Sequence, residues 1–350
     1  MAGIKMGFMN WELIGHEWAV NLLRQNIASD KVRHAYLLTG PDGVGKRTLA
    51  MRFAQALNCT DPPEPGDFCG QCRACQFIRR KQYPDLHIVE AESVGGILKV
   101  EHIRELQHQL ALSPYEGKKR VALLLRFHEA NASAANALLK TLEEPAPSVV
   151  LLLTAQSQEA LLQTISSRCE TLPLRDVPRE QIEAALKIRG EGDDRAMLLA
   201  RLAAGRPGWA LHYAENPELL DKRTEIYEDM MDILQGGRLE RFKHIERLTA
   251  TWEREQKRGG EHPRLRAIEV LENWVSLWRD AMLLAYNTTA EQRNVDREQD
   301  IQRMASAFSP GQISENLGKI EQLKEDLNKN ANVRLAMETL MLDLPTLSGE

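Results

Sequence analysis

The sequence predicts an α/β domain built on a parallel sheet, followed by an all-helical half. Three observations carry that expectation. Strand-like apolar runs alternate with helical periodicity from Ala35 to about Leu174. Two of those runs are almost continuously apolar, as strands covered on both faces are. After Val177-Pro178 only helical patterns remain.

In chain order, the expected strands are Ala35–Thr39, Leu86–Glu90, Arg120–Leu125, Val149–Thr154 and Glu170–Leu174. Between them Lys46–Leu57, Val100–Leu110, Ala132–Leu142 and Gln158–Thr164 space their apolar residues as helices do, with Ile103, Leu106 and Leu110 as one example. Beyond Pro178, Arg179–Lys187 and Asp194–Ala203 read as short helices. They are broken by Gly190–Gly192 and by Gly205-Arg206-Pro207-Gly208. Longer helices follow from Pro217. One carries Leu265, Ile268, Leu271, Trp274, Val275, Trp278 and Met282 on a face, and Arg258–Pro263 forms the loop before it. Ile313, Leu317, Ile320, Leu323 and Leu327 read as the core stripe of a helical bundle rather than a free coiled coil, because the repeat is short.

Composition excludes several classes. The 350 residues suit two or three domains. No apolar run is long enough to span a membrane, and Met1–Asn10 lack the apolar core of a secretory signal. A net charge of -5 argues against bulk coating of nucleic acid. Four of the five cysteines are clustered, which reads as metal ligation in a reducing cytoplasm rather than disulfide pairing.

Gly40-Pro41-Asp42-Gly43-Val44-Gly45-Lys46 lies between a strand and a helix, the context a phosphate-cradling loop requires. In such a loop the glycines let backbone N–H groups reach phosphate oxygens, Lys46 would neutralise charge, and a hydroxyl would hold magnesium. That hydroxyl is displaced here. Arg47 follows the lysine, and Thr48 lies one residue on, turned by roughly 100° about the helix. Nucleotide-binding candidates are therefore Gly40, Gly43, Val44, Gly45, Lys46 and Thr48, with ATP or ADP held weakly or not at all. The strand Val121–Leu125 then runs into Arg126-Phe127-His128 with no acid at its end, where hydrolysis needs a carboxylate for the magnesium shell. Glu129 is the nearest acid, past the strand end.

Cys59, Cys69, Cys72 and Cys75 follow C-x9-C-x2-C-x2-C, with Pro62, Pro63, Pro65, Gly66 and Gly70 suiting a knuckle between them. Four thiolates and no open position describe structural Zn2+. An iron–sulfur cluster and unligated thiols are the alternatives. Cys169 reads as a small buried apolar residue.

With these motifs in place, the chain resembles bacterial clamp-loader subunits of the AAA+ class. Asn136-Ala137-Leu138-Leu139-Lys140-Thr141-Leu142-Glu143-Glu144-Pro145 is similar to their signature, Ser167-Arg168-Cys169 to their arginine-finger motif, and the cysteine spacing to their inserted zinc module. Asn332–Glu338 looks like the end of their collar. The resemblance covers essentially the whole chain. It implies a P-loop domain over 1–176 with a zinc insertion at about 59–75, a helical lid over 177–213 and a helical collar over 214–350.

Aligned on that family, its Asp-Glu pair falls on Leu125 and Arg126, and its nucleotide-sensing lid arginine on Gly208, with Arg206 nearby. These departures point to a subunit that does not hydrolyse ATP, rather than to the gamma/tau type. The resemblance further implies a hetero-pentamer with gamma/tau and delta subunits that opens a sliding clamp and places it on primed DNA during DNA replication. Arg168, beside Ser167, would then act on ATP bound by a neighbour, as part of a polymerase holoenzyme. Glu143 and Glu144 are assigned no catalytic role. A gamma-type ATPase that uses Glu129 is the competing expectation. A P-loop small-molecule kinase would account for Gly40–Thr48 alone.

Overall fold

The computed structural model describes residues 11–92, 95–329 and 331–347. Met1–Asn10, read above for a leader, lie outside them. The described chain forms two compact units. One comprises Met1–Gly190 with Gly205–Leu211, and the other Glu191–Ala204 with His212–Glu350.

In the first unit the elements run α1 (Glu17–Ala28), β1 (Ala35–Thr39), α2 (Lys46–Asn58), α3 (Arg73–Arg79), β2 (Leu86–Val89), α4 (Val100–Leu110), β3 (Arg120–Leu124), α5 (Ala132–Glu143), β4 (Val149–Ala155), α6 (Gln163–Ser166), β5 (Glu170–Pro173) and α7 (Arg179–Ile188). The five strands form one parallel sheet in the order β2-β3-β4-β1-β5. Each strand's apolar run resolves into two cores by simple alternation. Tyr36, Leu38, Val121, Leu123, Val150 and Leu152 face one core with α1 and α2. Leu37, Ala122, Leu124, Leu151 and Leu153 face the other with α4 and α5. Asn131 caps α5 by accepting the Ala134 N–H at 2.8 Å.

Two departures from expectation have physical causes. The helix expected over Gln158–Thr164 is instead a turn followed by the single helical turn α6. Leu161 N–H bonds the Gln158 carbonyl and Ile165 N–H the Leu162 carbonyl, so the segment closes as separate tight turns. So short a segment gains too few helical bonds to offset the cost of nucleation. Conversely, α1 and α3 are additional helices. Ala19, Val20 and Leu23 of α1 are buried at helical spacing, a pattern present in the sequence.

The second unit holds α8 (Asp193–Ala203) and the end of α9 (Pro207–Glu215), whose residues up to Leu211 belong to the first unit. It continues with α10 (Glu218–Gln235), α11 (Arg238–Lys257), α12 (Pro263–Ala285), α13 (Glu298–Ala307), α14 (Pro310–Asn328) and α15 (Val333–Asp343). Helix α12 is the hub, packed by α10, α11, α13, α14 and α15. Its burial therefore spreads around the helix, adding Ala267, Val270 and Leu277 to the expected face. Ile313, Ile320, Leu323 and Leu327 lie in the bundle core, as the stripe on α14 predicts. Arg241, 3% exposed, spans this core and donates to the carbonyls of Ile233, Gly236, Leu344 and Pro345, tying the C-terminal segment to α10. Among the described residues no helix is long and apolar enough to cross a membrane.

Candidate functional site

The glycine-rich loop leaves the C-terminal end of β1, where β4 and β5 flank it. This is the switch point at which open α/β sheets place ligands. Gly40 donates to Gln156 O at 3.0 Å after β4, while Leu174 N–H after β5 donates to Thr39 O at 2.8 Å. Gly40 holds φ +138°, and a Cβ there would sit 2.2 Å from Leu174 O, so only glycine fits. Gly43 and Gly45 also hold positive φ.

Lys46 opens α2 but turns back into its own loop. Its ammonium donates to the carbonyls of Gly40 and Pro41, the latter at 3.0 Å, and pairs with Asp42 at 3.2 Å. Burial holds its pKa below the usual lysine value, with Asp42 acting against the shift. Val44 is fully buried, its carbonyl 3.2 Å from His16 Nε2. Thr48 is exposed, and Arg47 reaches Glu90 at 3.7 Å. Gly208 N–H donates to Gly43 O at 2.7 Å. A Cβ on Gly208 would lie 2.8 Å from that oxygen. Gly208 is the position where the family resemblance expects an arginine. In the fold it is a close backbone approach that no side chain could occupy unchanged.

At the acid position, Leu125 is 4% exposed and belongs to the apolar core. Arg126 sits in the left-handed region at φ +48° and donates from Nε to both Glu129 oxygens, at 3.0 and 3.1 Å. Its Nη1 reaches Glu90 at 3.5 Å. The Glu129 carboxylate also accepts the Gly95 N–H at 2.8 Å. Thus the nearest acid is held by a guanidinium and an amide. This pairing was not read from the sequence, although the i, i+3 spacing of Arg126 and Glu129 carries its signal.

Arg168 follows the single turn α6. Its Nη1 donates to Thr164 O at 2.7 Å and its Nη2 pairs with Glu143 Oε1 at 2.8 Å, with the side chain 37% exposed. Ser167 Oγ lies 3.4 Å from Thr164 O. Cys169 is half-buried, and burial pushes its thiol up to about 12, as suits an inert packed residue.

The four cysteines come together as their spacing predicts. Cys59 ends α2, and Cys72 and Cys75 bracket the start of α3. All four sulfurs lie within 4.8 Å of one another, with Cys59 Sγ at 3.6 Å from Cys69 and 3.9 Å from Cys72. A tetrahedral thiolate set with bonds of about 2.3 Å has edges of about 3.8 Å, so the cluster is placed to hold a metal ion. The Cys69 and Cys72 N–H groups point at neighbouring sulfurs. Burial alone would raise the Cys72 thiol. Hydrogen bonds from Cys75 and Thr60 outweigh it and bring the pKa down to about 6.

The strand order, the loop at the end of β1 and the separate helical unit define a AAA+-type P-loop protein. A family model described as DNA polymerase III, delta subunit, matches residues 15–178, and one for the C-terminal part of that subunit matches 265–346. A DNA polymerase III subunit delta' from Bacillus subtilis is 27% identical over 326 residues, covering 93% of this chain and 94% of that one. The subunit delta' of Pseudomonas aeruginosa is 35% identical over 206 residues, covering 58% and 62%. The subunit tau of Escherichia coli is 35% identical over 204 residues, covering 55% of this chain but only 30% of tau. The chain belongs to the DNA polymerase III delta' family.

Proposed function

We propose that this chain is the non-hydrolysing subunit of a replicative clamp loader, a cytoplasmic stator that supplies an arginine finger in trans. The observation that carries this is the end of β3, where Leu125 fills the core and Arg126 is paired with Glu129 and Glu90. A magnesium shell and an attacking water need a carboxylate at that position. The competing gamma-type reading requires Glu129 as that carboxylate, and its bonds to Arg126 and Gly95 count against it. Nucleotide at Gly40–Lys46 would have to displace the internal bonds of Lys46 and accommodate Gly208 on Gly43, which supports weak or absent ATP and ADP binding.

In this reading residues 1–176 form the P-loop domain, 177–213 the lid and 214–350 the collar that joins gamma/tau and delta subunits. The ring opens the sliding clamp and places it on primed DNA. Arg168 faces the ATP of an adjacent gamma/tau subunit, and Ser167 shapes the turn that presents it. A finger of this kind stabilises charge on the transferring phosphoryl group and contributes about 10³ to 10⁵ in rate. The cysteine cluster holds Zn2+ in a closed structural site, because no ligand position is left open for chemistry.

ATP turnover tests the proposal, measured for the chain alone and for the chain mixed with gamma/tau, delta, clamp and primed DNA. The expected result is silence alone and DNA-stimulated hydrolysis in the mixture that collapses with Arg168→Ala. Robust turnover by the pure chain would overturn it.

A further inference from the structure

Glu143, given no role from the sequence, is the residue that reaches Arg168. We propose that it is a positioning residue, which holds the Arg168 guanidinium ready for the neighbouring nucleotide. This inference rests on the in-trans role proposed for Arg168.

The geometry is a two-point hold. Arg168 N–H donates to Ile165 O at 3.1 Å, fixing the backbone on a turn whose Ile165 is fully buried. Nη1 then donates to Thr164 O at 2.7 Å, and Nη2 to Glu143 Oε1 at 2.8 Å. A guanidinium carries five N–H donors, so these two bonds leave three for an incoming phosphate. An unrestrained arginine would lose considerable rotamer freedom on reaching a phosphate. Held this way, it has already lost part of it.

The placement of Glu143 supports the same conclusion. It is the last residue of α5, where the helix dipole disfavours a carboxylate and favours a cation. Helix formation therefore gives no reason for an acid there, whereas the Arg168 cation offsets the unfavourable charge. The pair also joins α5 to the α6 turn, elements otherwise linked mainly by apolar packing.

Exposed ion pairs are weak, so the effect is bounded. Replacing Glu143 should widen the positions open to Arg168 and lower the rate about 2- to 5-fold, the range such a pair can supply. Binding of ATP by the neighbour should be unaffected.

The test uses the full loader with clamp and primed DNA, carrying Glu143→Ala, Glu143→Gln, Arg168→Ala or the double substitution. Glu143→Ala should lower kcat about 2- to 5-fold at low salt with KM for ATP unchanged. Glu143→Gln keeps an acceptor at the same reach and should recover most of the loss. The deficit of the Ala variant should narrow as salt screens the bridge in the unmodified chain. On the Arg168→Ala background, Glu143→Ala should add nothing. Glu143 is half exposed, so folding is not at stake. An unchanged or raised kcat, or an equal loss without Arg168, overturns the positioning role. If Arg168→Ala itself leaves the rate intact, the finger role fails first and this proposal falls with it.

Discussion

Reversing Arg126 puts the acid-free end of β3 to its sharpest test. The Arg126→Glu substitution introduces the acid that the family resemblance expects at this position. In this fold it would also place a carboxylate beside Glu129, whose side chain is 8% exposed, and near Glu90. Three carboxylates would then share one corner, with the Gly95 amide as the remaining hydrogen-bond donor described for Glu129. Breaking a fully buried pair costs about 3–5 kcal/mol. Arg126 is 20% exposed, so solvent reduces the figure to about 2–3 kcal/mol. Both residues must adopt the same left-handed backbone, so its strain cancels and leaves the electrostatic loss. For a unit of about 200 residues, that loss lowers the melting temperature by roughly 4–12 °C. Differential scanning calorimetry of the whole chain reads it directly, the two units giving separable transitions where they unfold independently. The charge-swapped pair Arg126→Glu with Glu129→Arg should regain about half, because Glu90 stays in place. Adding Leu125→Asp buries a further acid in an apolar core and should lower stability again without producing ATP turnover. An Arg126→Glu variant that melts within a degree or two of the unmodified chain would refute the reasoning, since Glu129 would then be free to serve as a catalytic carboxylate.

Further outcomes follow from other sites. Chain purified with zinc under reducing conditions should hold one metal ion per chain. Cys72→Ser should abolish that occupancy and lower the melting temperature, and metal content unchanged by the substitution would remove the cluster as its site. In the C-terminal unit, Arg241→Met leaves several buried carbonyls without their donor and should cost about 3–4 kcal/mol, read as faster amide exchange through Leu344–Leu347. Unchanged protection there would deny Arg241 its bracing role. Burial lowers the pKa of His16, His87 and His128, so the folded unit keeps them neutral while the unfolded chain takes up protons below about pH 6.5. Stability is therefore complete above that pH and declines beneath it. The urea midpoint with excess zinc should be lower at pH 5.5 than at 7.5, and a flat profile would count against the assignment.

What the sequence made legible was short-range and periodic. The strand at Ala35–Thr39 and the helix at Val100–Leu110 have the boundaries expected of them, because alternation or a 3.6-residue period is written locally. The cysteine spacing likewise predicted a four-sulfur cluster. Interactions that span the chain were not legible. Nothing in a linear reading joins Glu143 to Arg168, or Gly43 to Gly208. Asp85 is also beyond it. This fully buried carboxylate accepts the Tyr115, Glu116 and Gly117 amides and pairs with Arg120 at 3.1 Å, anchoring the turn before β3. The misplaced helix at Gln158–Thr164 failed for the opposite reason. Its apolar residues suggested a helix, but the segment is too short to offset the cost of nucleating one.

The phosphate loop illustrates how packing changes the meaning of a motif. Glycines at 40 and 43 suggest room for phosphate, yet each also has a reason within the fold. Gly40 is pressed against Leu174 O, and Gly43 holds φ +81° with Trp209 N 3.3 Å from where a Cβ would lie. Lys46, the residue that would meet a nucleotide, spends its donors on its own loop. A side chain at either Gly40 or Gly208 would push apart the sheet's C-terminal edge or the contact between the loop and the start of α9. The glycine pattern is thus required to close this unit even with no phosphate present. Under the proposed function, a Walker-type loop therefore carries little weight for ATP chemistry, and the decisive residues are those at the end of β3.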